Sequence, residues 1–381
     1  MAITQSYVDY GAGSDATGDG AIGTPWKTLQ WAFDHLTRNT TDGNQVNLKS
    51  GTPHVNAAAL SLTTFIAGGA LSLAAPLIVR GYTAAANDGG IGEIDCNGAT
   101  MWAAATYDYI ILRDLKIHNG GDNNLVEMDD YCVVFRCEMH KGASSPSGKY
   151  LLSLDNGSKA IGCYLHDPGG GASRGINGSY GGMLYGNYVD MGASSTGTGI
   201  YASDFTPLIG NIVVCGGVSQ KAIYAPGTSP LNGNTCYSSV AATGIAITIG
   251  TSNSSVVMNN IIVGWSGLGG TGLSAANIGA LGYNAFYNNT TPVSISDQKF
   301  IDLTANDVTL LASPFTNAAA GDFSLTAAGK AALRGLGWPA AYLGAHASTD
   351  GHVTPGAVQY GEAEAGGGGA VSISPLKGNI G

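Results

Sequence analysis

Charge is scarce in this chain. Asp, Glu, Lys and Arg make up 11% of its 381 residues, with 16 basic against 26 acidic side chains and a formal net charge of −10. So thin and acidic a balance offers no footprint for a phosphate backbone, which sets aside nucleic acid and anionic membranes as main partners. Long apolar runs are missing too: none approaches the roughly 20 residues of a membrane-spanning helix. The six cysteines (Cys96, Cys132, Cys137, Cys163, Cys215, Cys236) include no Cys-x-x-Cys pair, the usual mark of structural zinc or dithiol chemistry. Met1 runs into Ala2-Ile3-Thr4-Gln5 without a basic or an apolar leader stretch, and the expectation is a protein made in a cytoplasm.

What is abundant is glycine, at 59 residues, and a repeat. Asparagine returns at Asn187, Asn211, Asn234, Asn260 and Asn284, at intervals of 24, 23, 26 and 24. The same register runs back through Cys163, Cys137 and Leu115. Two residues after these anchors come Ile117, Met139, Leu165, Val189, Val213, Cys236, Ile262 and Phe286. Three residues before them come Leu112, Val134, Ala160, Leu184, Leu208, Leu231, Val257 and Leu281. Two unbroken apolar columns at a fixed period mark a solenoid.

The neighbouring columns test the register. Lys116 and Glu138 follow successive anchors, and Asp114 and Arg136 precede them. Equivalent residues of stacked strands sit about 4.8 Å apart, where opposite charges help. Both pairs are of opposite sign, and alternation places them facing solvent. A leucine-rich repeat also has this period, but it needs a helical return. Here the returns are runs such as Gly192-Ala193-Ser194-Ser195-Thr196-Gly197, and the strands are short and β-branched, as in Asn211-Ile212-Val213-Val214. The expected fold is therefore all-β: a right-handed parallel β-helix, a single-stranded solenoid, with the asparagines as an inward structural ladder. Cys137 and Cys163 fall on adjacent coils, near enough for a disulfide, and a reduced thiol stack is the preferred reading.

Four segments follow. Residues 1–44 hold an opening strand and a capping helix, in which Thr24-Pro25 is the expected helix start and Trp26, Leu29, Ala32, Phe33 and Leu36 form one face. Residues 45–292 form the β-helix, with regular coils over 101–290; Ala57 to Ala75 within it is an apolar insertion, either a buried loop or a contact surface. Residues 293–360 close the fold. Residues 361–381 pass from a linker, Gly366-Gly367-Gly368-Gly369, into an extended tail with Val371, Ile373, Leu376 and Ile380. Those four suit docking on another subunit, as an added strand or as plugs. The alternative is that the tail folds back on its own β-helix.

The opening, Tyr7-Val8-Asp9…Gly13-Ser14-Asp15…Gly18…Pro25-Trp26-Lys27-Thr28-Leu29…Ala32, resembles that of the pectate-lyase-like right-handed β-helix proteins. Ser313-Pro314-Phe315…Gly321-Asp322-Phe323-Ser324-Leu325 and Gly356-Ala357-Val358-Gln359 are similar to the superfamily's closing segment. The resemblance implies the fold and spans several functions: polysaccharide lyases and hydrolases, surface adhesins, and bacteriophage virion proteins. Lyases of this kind hold Ca²⁺ in clustered carboxylates and use Arg or Lys as base. The nearest approach in this chain is Asp114, Glu127, Asp129, Asp130, Arg136 and Glu138, and no column shows two stacked acids, so no catalytic residue and no cofactor are expected.

Two other features bear on chemistry. His118, His140, His166 and Asp190 form an outward column, a ligand set of the right types for a divalent metal. Flat coils, however, project side chains in parallel, whereas coordination needs them to converge. Tyr164 and Tyr188 are outward aromatics suited to stacking on sugar rings. The function expected first is a non-enzymatic structural virion protein, a bacteriophage capsid-decoration or tail-associated β-helix anchored to other virion subunits by residues 361–381. The alternative is a carbohydrate-binding or polysaccharide-degrading β-helix with a cell-surface glycan as partner. A surface adhesin, which would be extracellular, is a third reading, and homo-oligomerisation is left open.

Overall fold

A computed structural model describes residues 3–337, except 103–106, 142–147, 170, 194–195, 251–254 and 335, together with Gly356. The chain winds as a right-handed parallel β-helix whose coils present three faces. The first face carries strands such as Tyr150–Leu154, Arg174–Gly178, Thr198–Ala202 and Lys221–Ala225, in parallel register. The second includes Ile110–Arg113, Val133–Phe135, Lys159–Ile161 and Met183–Tyr185. Two long strands, Thr271–Gly282 and Thr291–Leu303, run through the corner and join these faces into one sheet. The third face is a separate sheet of eleven strands, from His54–Val55 to Val308–Thr309.

Both apolar columns stack as the period predicts. Leu112, Val134, Ala160, Leu184, Leu208, Leu231, Val257 and Leu281 pair coil to coil on the second face. Ile117 through Phe286 do the same on the third. All of them are buried in one continuous core. Between the two faces the chain turns on a single left-handed residue: Asp114, Arg136, Gly162, Gly186, Gly210, Gly233, Asn259 and Tyr283 all have positive φ. Glycine meets that demand without strain, which accounts for its recurrence just before the anchors.

The anchor column lies at this corner, and all five asparagines are buried. Each amide nitrogen donates to the next coil's carboxamide oxygen, from Asn187 to Asn211 at 2.9 Å through Asn260 to Asn284 at 3.0 Å. It also donates to a carbonyl of the preceding coil, as from Asn234 to Leu208 O at 2.9 Å. Each carboxamide oxygen further accepts the backbone N–H of the anchor one coil before it, the first being Cys163 N. Asp307 supplies a last rung, accepting from Asn284 N at 2.8 Å. All six cysteines are free and buried, and burial pushes the Cys163 thiol up to about 11.

The N-terminal end is closed by a helix, but not from Thr24. Thr24 bonds to Asp19, and Trp26 continues in extended backbone bridged to Val8. The helix is Leu29–His35, capped by Thr28, which accepts from Trp31 N. Asp15 takes Thr28 N at 3.0 Å and Thr28 Oγ1 at 2.8 Å, and buried His54 accepts Leu29 N at 2.8 Å. A polar residue with a preorganised acceptor wins over a proline that merely tolerates the first turn. The apolar insertion is buried only in part: Leu60, Leu62 and Phe65, the last on the short helix Thr63–Ala67, join the core beside Phe33 and Trp102, whereas Leu73 is exposed.

The closing segment folds back along the outside. A hairpin (Phe315–Asn317 with Asp322–Leu325) and the helix Ala327–Leu333 pack on the outer third face, over Tyr188, Ile212, Val214, Ile261, Val263 and Ala285. Gly356 donates its N–H to Asn259 O beside that cluster. The ladder makes a direct prediction. Asn234→Ala deprives Asn211 N–H of its acceptor, Asn211 Nδ2 of one of its two, and Leu208 O of a donor; buried orphans cost about 1–3 kcal/mol each. Denaturant unfolding should show a loss on the order of 3–5 kcal/mol for Asn234→Ala, against under about 1 kcal/mol for the half-exposed Asn177→Ala.

Candidate functional site

Two groups of chemistry-bearing side chains stand out, on different faces of the solenoid. The first lies on the N-terminal half of the third face, ahead of the region covered by the closing hairpin. There the outward positions of successive strands Gly92–Asp95, Leu115–His118, Glu138–His140 and Tyr164–His166 stack in register. His118 lies over His140 with ring centroids 5.2 Å apart, and His140 over His166 at 4.8 Å. Asp190 is next in register beyond His166, but its carboxylate accepts Gly192 N at 3.0 Å and stays outside the convergent set. That set is Glu138, His140 and His166, whose ligand atoms lie within 4.8 Å of one another. Glu138 joins from the adjacent column, two residues before His140 on the same strand.

Of the two cross-coil charge pairs expected, Asp114 with Arg136 forms, at 2.8 Å, and Lys116 with Glu138 is rearranged. Lys116 faces Glu138 in register but reaches Glu93 at 3.4 Å, while Glu138 meets His166 Nε2 at 3.2 Å and is largely buried. Asp114 is likewise buried rather than solvent-facing; it is held by Arg80 (3.0 Å), Arg113 (3.1 Å) and Arg136. His118 Nε2 is 3.0 Å from Glu93 Oε1 yet off the hydrogen-bond direction. Burial, then the neighbouring His166 and His118, push His140 down to about 4. Burial also disfavours charge on His166, but its bonds to Glu138 and Asp167 outweigh it and hold the imidazole above its ordinary value. Glu138 is held low: the bond from His166 and the charge of Lys116 outweigh its burial.

The second group is on the first face and was missed in the sequence. Outward positions there read Tyr150, Arg174, Thr198, Lys221 in one column and Glu127, Ser153, Asn177, Tyr201, Tyr224 in the next. The Arg174 guanidinium lies 5.1 Å from the Tyr150 ring centre and 5.9 Å from that of Tyr201; Lys221 lies 4.9 Å from Tyr224. Tyr201 and Tyr224 meet edge to face at 5.4 Å. At the turn bordering this face runs an aromatic ridge, with Tyr109 stacked on Tyr131 and the exposed Tyr180 meeting Phe205 edge to face. Tyr109, Tyr131 and Phe205 hold left-handed backbone, an uncommon state for bulky residues.

Beside that ridge the carboxylates of Asp108, Asp129 and Asp130 come within 4.8 Å of one another. Burial first, then the charges of Asp108, Asp130 and Asp155, raise Asp129 above its usual range. This corrects the expectation that no acids stack: Asp130 N donates to Asp108 Oδ1 at 3.2 Å across one coil. Its signal was the Asp-Tyr pair repeated at Asp108-Tyr109 and Asp130-Tyr131, in a turn outside the columns first aligned. Three carboxylates, with Asp130 Oδ1 buried and lacking a hydrogen-bond partner among the described residues, fit a hard oxygen-seeking cation such as Ca²⁺.

The backbone path of these faces is similar to that of a known enzyme. A pectate lyase, Pel9A, superposes with a TM-score of 0.58 over 94% of this chain and 96% of its own, at 11% identity. A GH136 lacto-N-biosidase from Eubacterium ramulus gives a TM-score of 0.45 over 81% of this chain and 68% of its own, at 14% identity. No protein-family model matches the sequence, and no curated protein matches it. The fold is that of the pectate-lyase-like β-helices.

Of the two tyrosines expected to stack on sugars, Tyr164 is half-buried and lies against His166 at 4.5 Å. Tyr188 is 1% exposed, because Phe323 of the closing hairpin covers it. Val371, Ile373, Leu376 and Ile380 lie outside the described residues. The histidine pair makes opposite demands on pH. His140 is depressed, so it destabilises the fold as pH falls from 6.5 towards about 4. His166 is raised, so its contribution is complete below 6.5 and is lost as pH rises through its folded value. Thermal unfolding against pH should therefore show His140→Gln flattening the acid-side loss, and His166→Gln flattening the loss on the alkaline side of 6.5.

Proposed function

We propose that this protein binds an extended acidic polysaccharide along its first face. The observation that carries the reading is the stripe of cations and aromatic rings on consecutive coils: Tyr150, Arg174, Tyr201, Lys221 and Tyr224. Rings offer flat apolar area to sugar faces while Arg174 and Lys221 offer charge-assisted bonds to carboxylates. Consecutive coils rise about 4.8 Å, so the stripe follows a polymer laid along the solenoid axis. Asn177 and Ser153, bonded to each other at 3.1 Å, add neutral hydrogen-bonding groups. Asp108, Asp129 and Asp130 would hold a Ca²⁺ ion at the border of this face, and such an ion supplies neutralisation of the polymer's own carboxylates. The fold shared with a pectate lyase supports the class of ligand.

A second reading, a structural virion component, is favoured by residues 361–381, where the Gly366–Gly369 linker precedes the apolar Val371, Ile373, Leu376 and Ile380. Labelling of the protein in intact phage particles, with and without those residues, tests that reading.

For the first, titration calorimetry with polygalacturonate and with a neutral glucan is decisive. Binding to the acidic polymer alone is expected, weakened about 10-fold or more by Arg174→Ala, the worth of one charge-assisted bond. Absence of binding, or binding indifferent to Arg174→Ala and Lys221→Ala, overturns it. Ultraviolet absorbance of unsaturated products, measured with Ca²⁺ and with chelator, shows whether the bound polymer is also cleaved.

A further inference from the structure

We propose that Glu138, His140 and His166 form a binding site for one divalent metal ion of the zinc class, which staples two neighbouring coils on the third face. The site lies on a different face from the polysaccharide stripe and stands independently of it. Glu138 and His140 come from one strand, two residues apart, and His166 from the next, in register with His140. Ligand atoms of a tetrahedral zinc site stand about 3.3 Å apart, given bonds of about 2.0 Å. His166 Nε2 and Glu138 Oε1 are already 3.2 Å apart. The His140 nitrogen lies inside the same 4.8 Å cluster.

The orientation of His166 is the second observation. Its Nδ1 is engaged by Asp167 Oδ2 at 2.7 Å, which leaves Nε2 as the nitrogen presented to Glu138. A carboxylate on the far nitrogen of a ligating histidine is the recurrent outer-shell partner in zinc sites, where it fixes ring orientation and basicity. A bare ion pair between His166 and Glu138 accounts for two groups and leaves His140 unexplained. The local field also favours a cation: Glu93, Glu138, Asp167 and Asp190 surround the histidine column, against Lys116, whose ammonium is engaged by Glu93 at 3.4 Å. Two imidazoles and one carboxylate leave a fourth position for water. His118 stacks on His140 but stands outside the convergent set.

The test uses the full, untagged chain, freed of metal with chelator and titrated with Zn²⁺ by calorimetry, with Co²⁺ absorbance reporting coordination geometry. One equivalent of Zn²⁺, an intense tetrahedral Co²⁺ spectrum and a raised thermal midpoint are expected. Glu138→Gln and His140→Ala should each abolish the Co²⁺ signal while circular dichroism stays unchanged, and Asp167→Asn should weaken Zn²⁺ binding about 10- to 100-fold. His118→Ala should retain one equivalent. The proposal is overturned if the wild-type chain takes up no Zn²⁺, if uptake survives both Glu138→Gln and His140→Ala, or if His118→Ala abolishes it as fully as His140→Ala does.

Discussion

The structure depends on one hydrogen-bonded column, the carboxamides of Asn187, Asn211, Asn234, Asn260 and Asn284. A coil of this fold must leave one strand and begin another across a single left-handed residue. That corner strands a backbone N–H inside the core, where an unpaired donor is costly. The asparagine of the following coil accepts that donor, and its own amide reaches one coil each way. Correct stacking of one coil thus satisfies the polar groups of its neighbour. Because side chains alternate with period two, a slip by one residue would put the whole apolar set on the wrong face as well.

With the interior so constrained, function is left to the outward columns, and these differ by face. The third face is divided along its length. Its later coils present Ile212, Val214, Ile261 and Val263 and are covered by the closing hairpin and helix. Its earlier coils present carboxylates and imidazoles, which that cover does not reach. The first face has rings and cations on contiguous coils, flanked by a ridge of aromatics and acids. Neither group takes part in the ladder, so both can vary without disturbing the corner.

The register, both apolar columns and the histidine stack were legible in the sequence because each is a relation between residues one period apart. What escaped was set by contacts that no period encodes. Tyr188 looked exposed because Phe323, which covers it, lies more than a hundred residues downstream. Asp114 looked like half of a surface pair, but Arg80 reaches it from an irregular early coil. Glu138 and His140 fell in separate columns, although two positions on one strand share a face and can converge. Asp108 sits in a turn ahead of the first aligned column residue, Leu112, so no column relates it to Asp129 and Asp130. The helix start was misplaced because Thr24-Pro25 carries a helix signal, while the acceptors that fix the true start, Asp15 and His54, come from elsewhere in the chain.

The last rung of the column, Asp307, changes its chemistry. A carboxamide accepts and donates, so every asparagine passes the column forward; a carboxylate only accepts. Asp307 receives Asn284 and has no amide hydrogen with which to recruit a further rung. The ladder therefore has a polarity, and its terminus is marked by a change of functional group rather than by bulk. Solenoids are prone to polymerise end to end, since each coil is a template for the next. Here the column that templates stacking is chemically closed at one end.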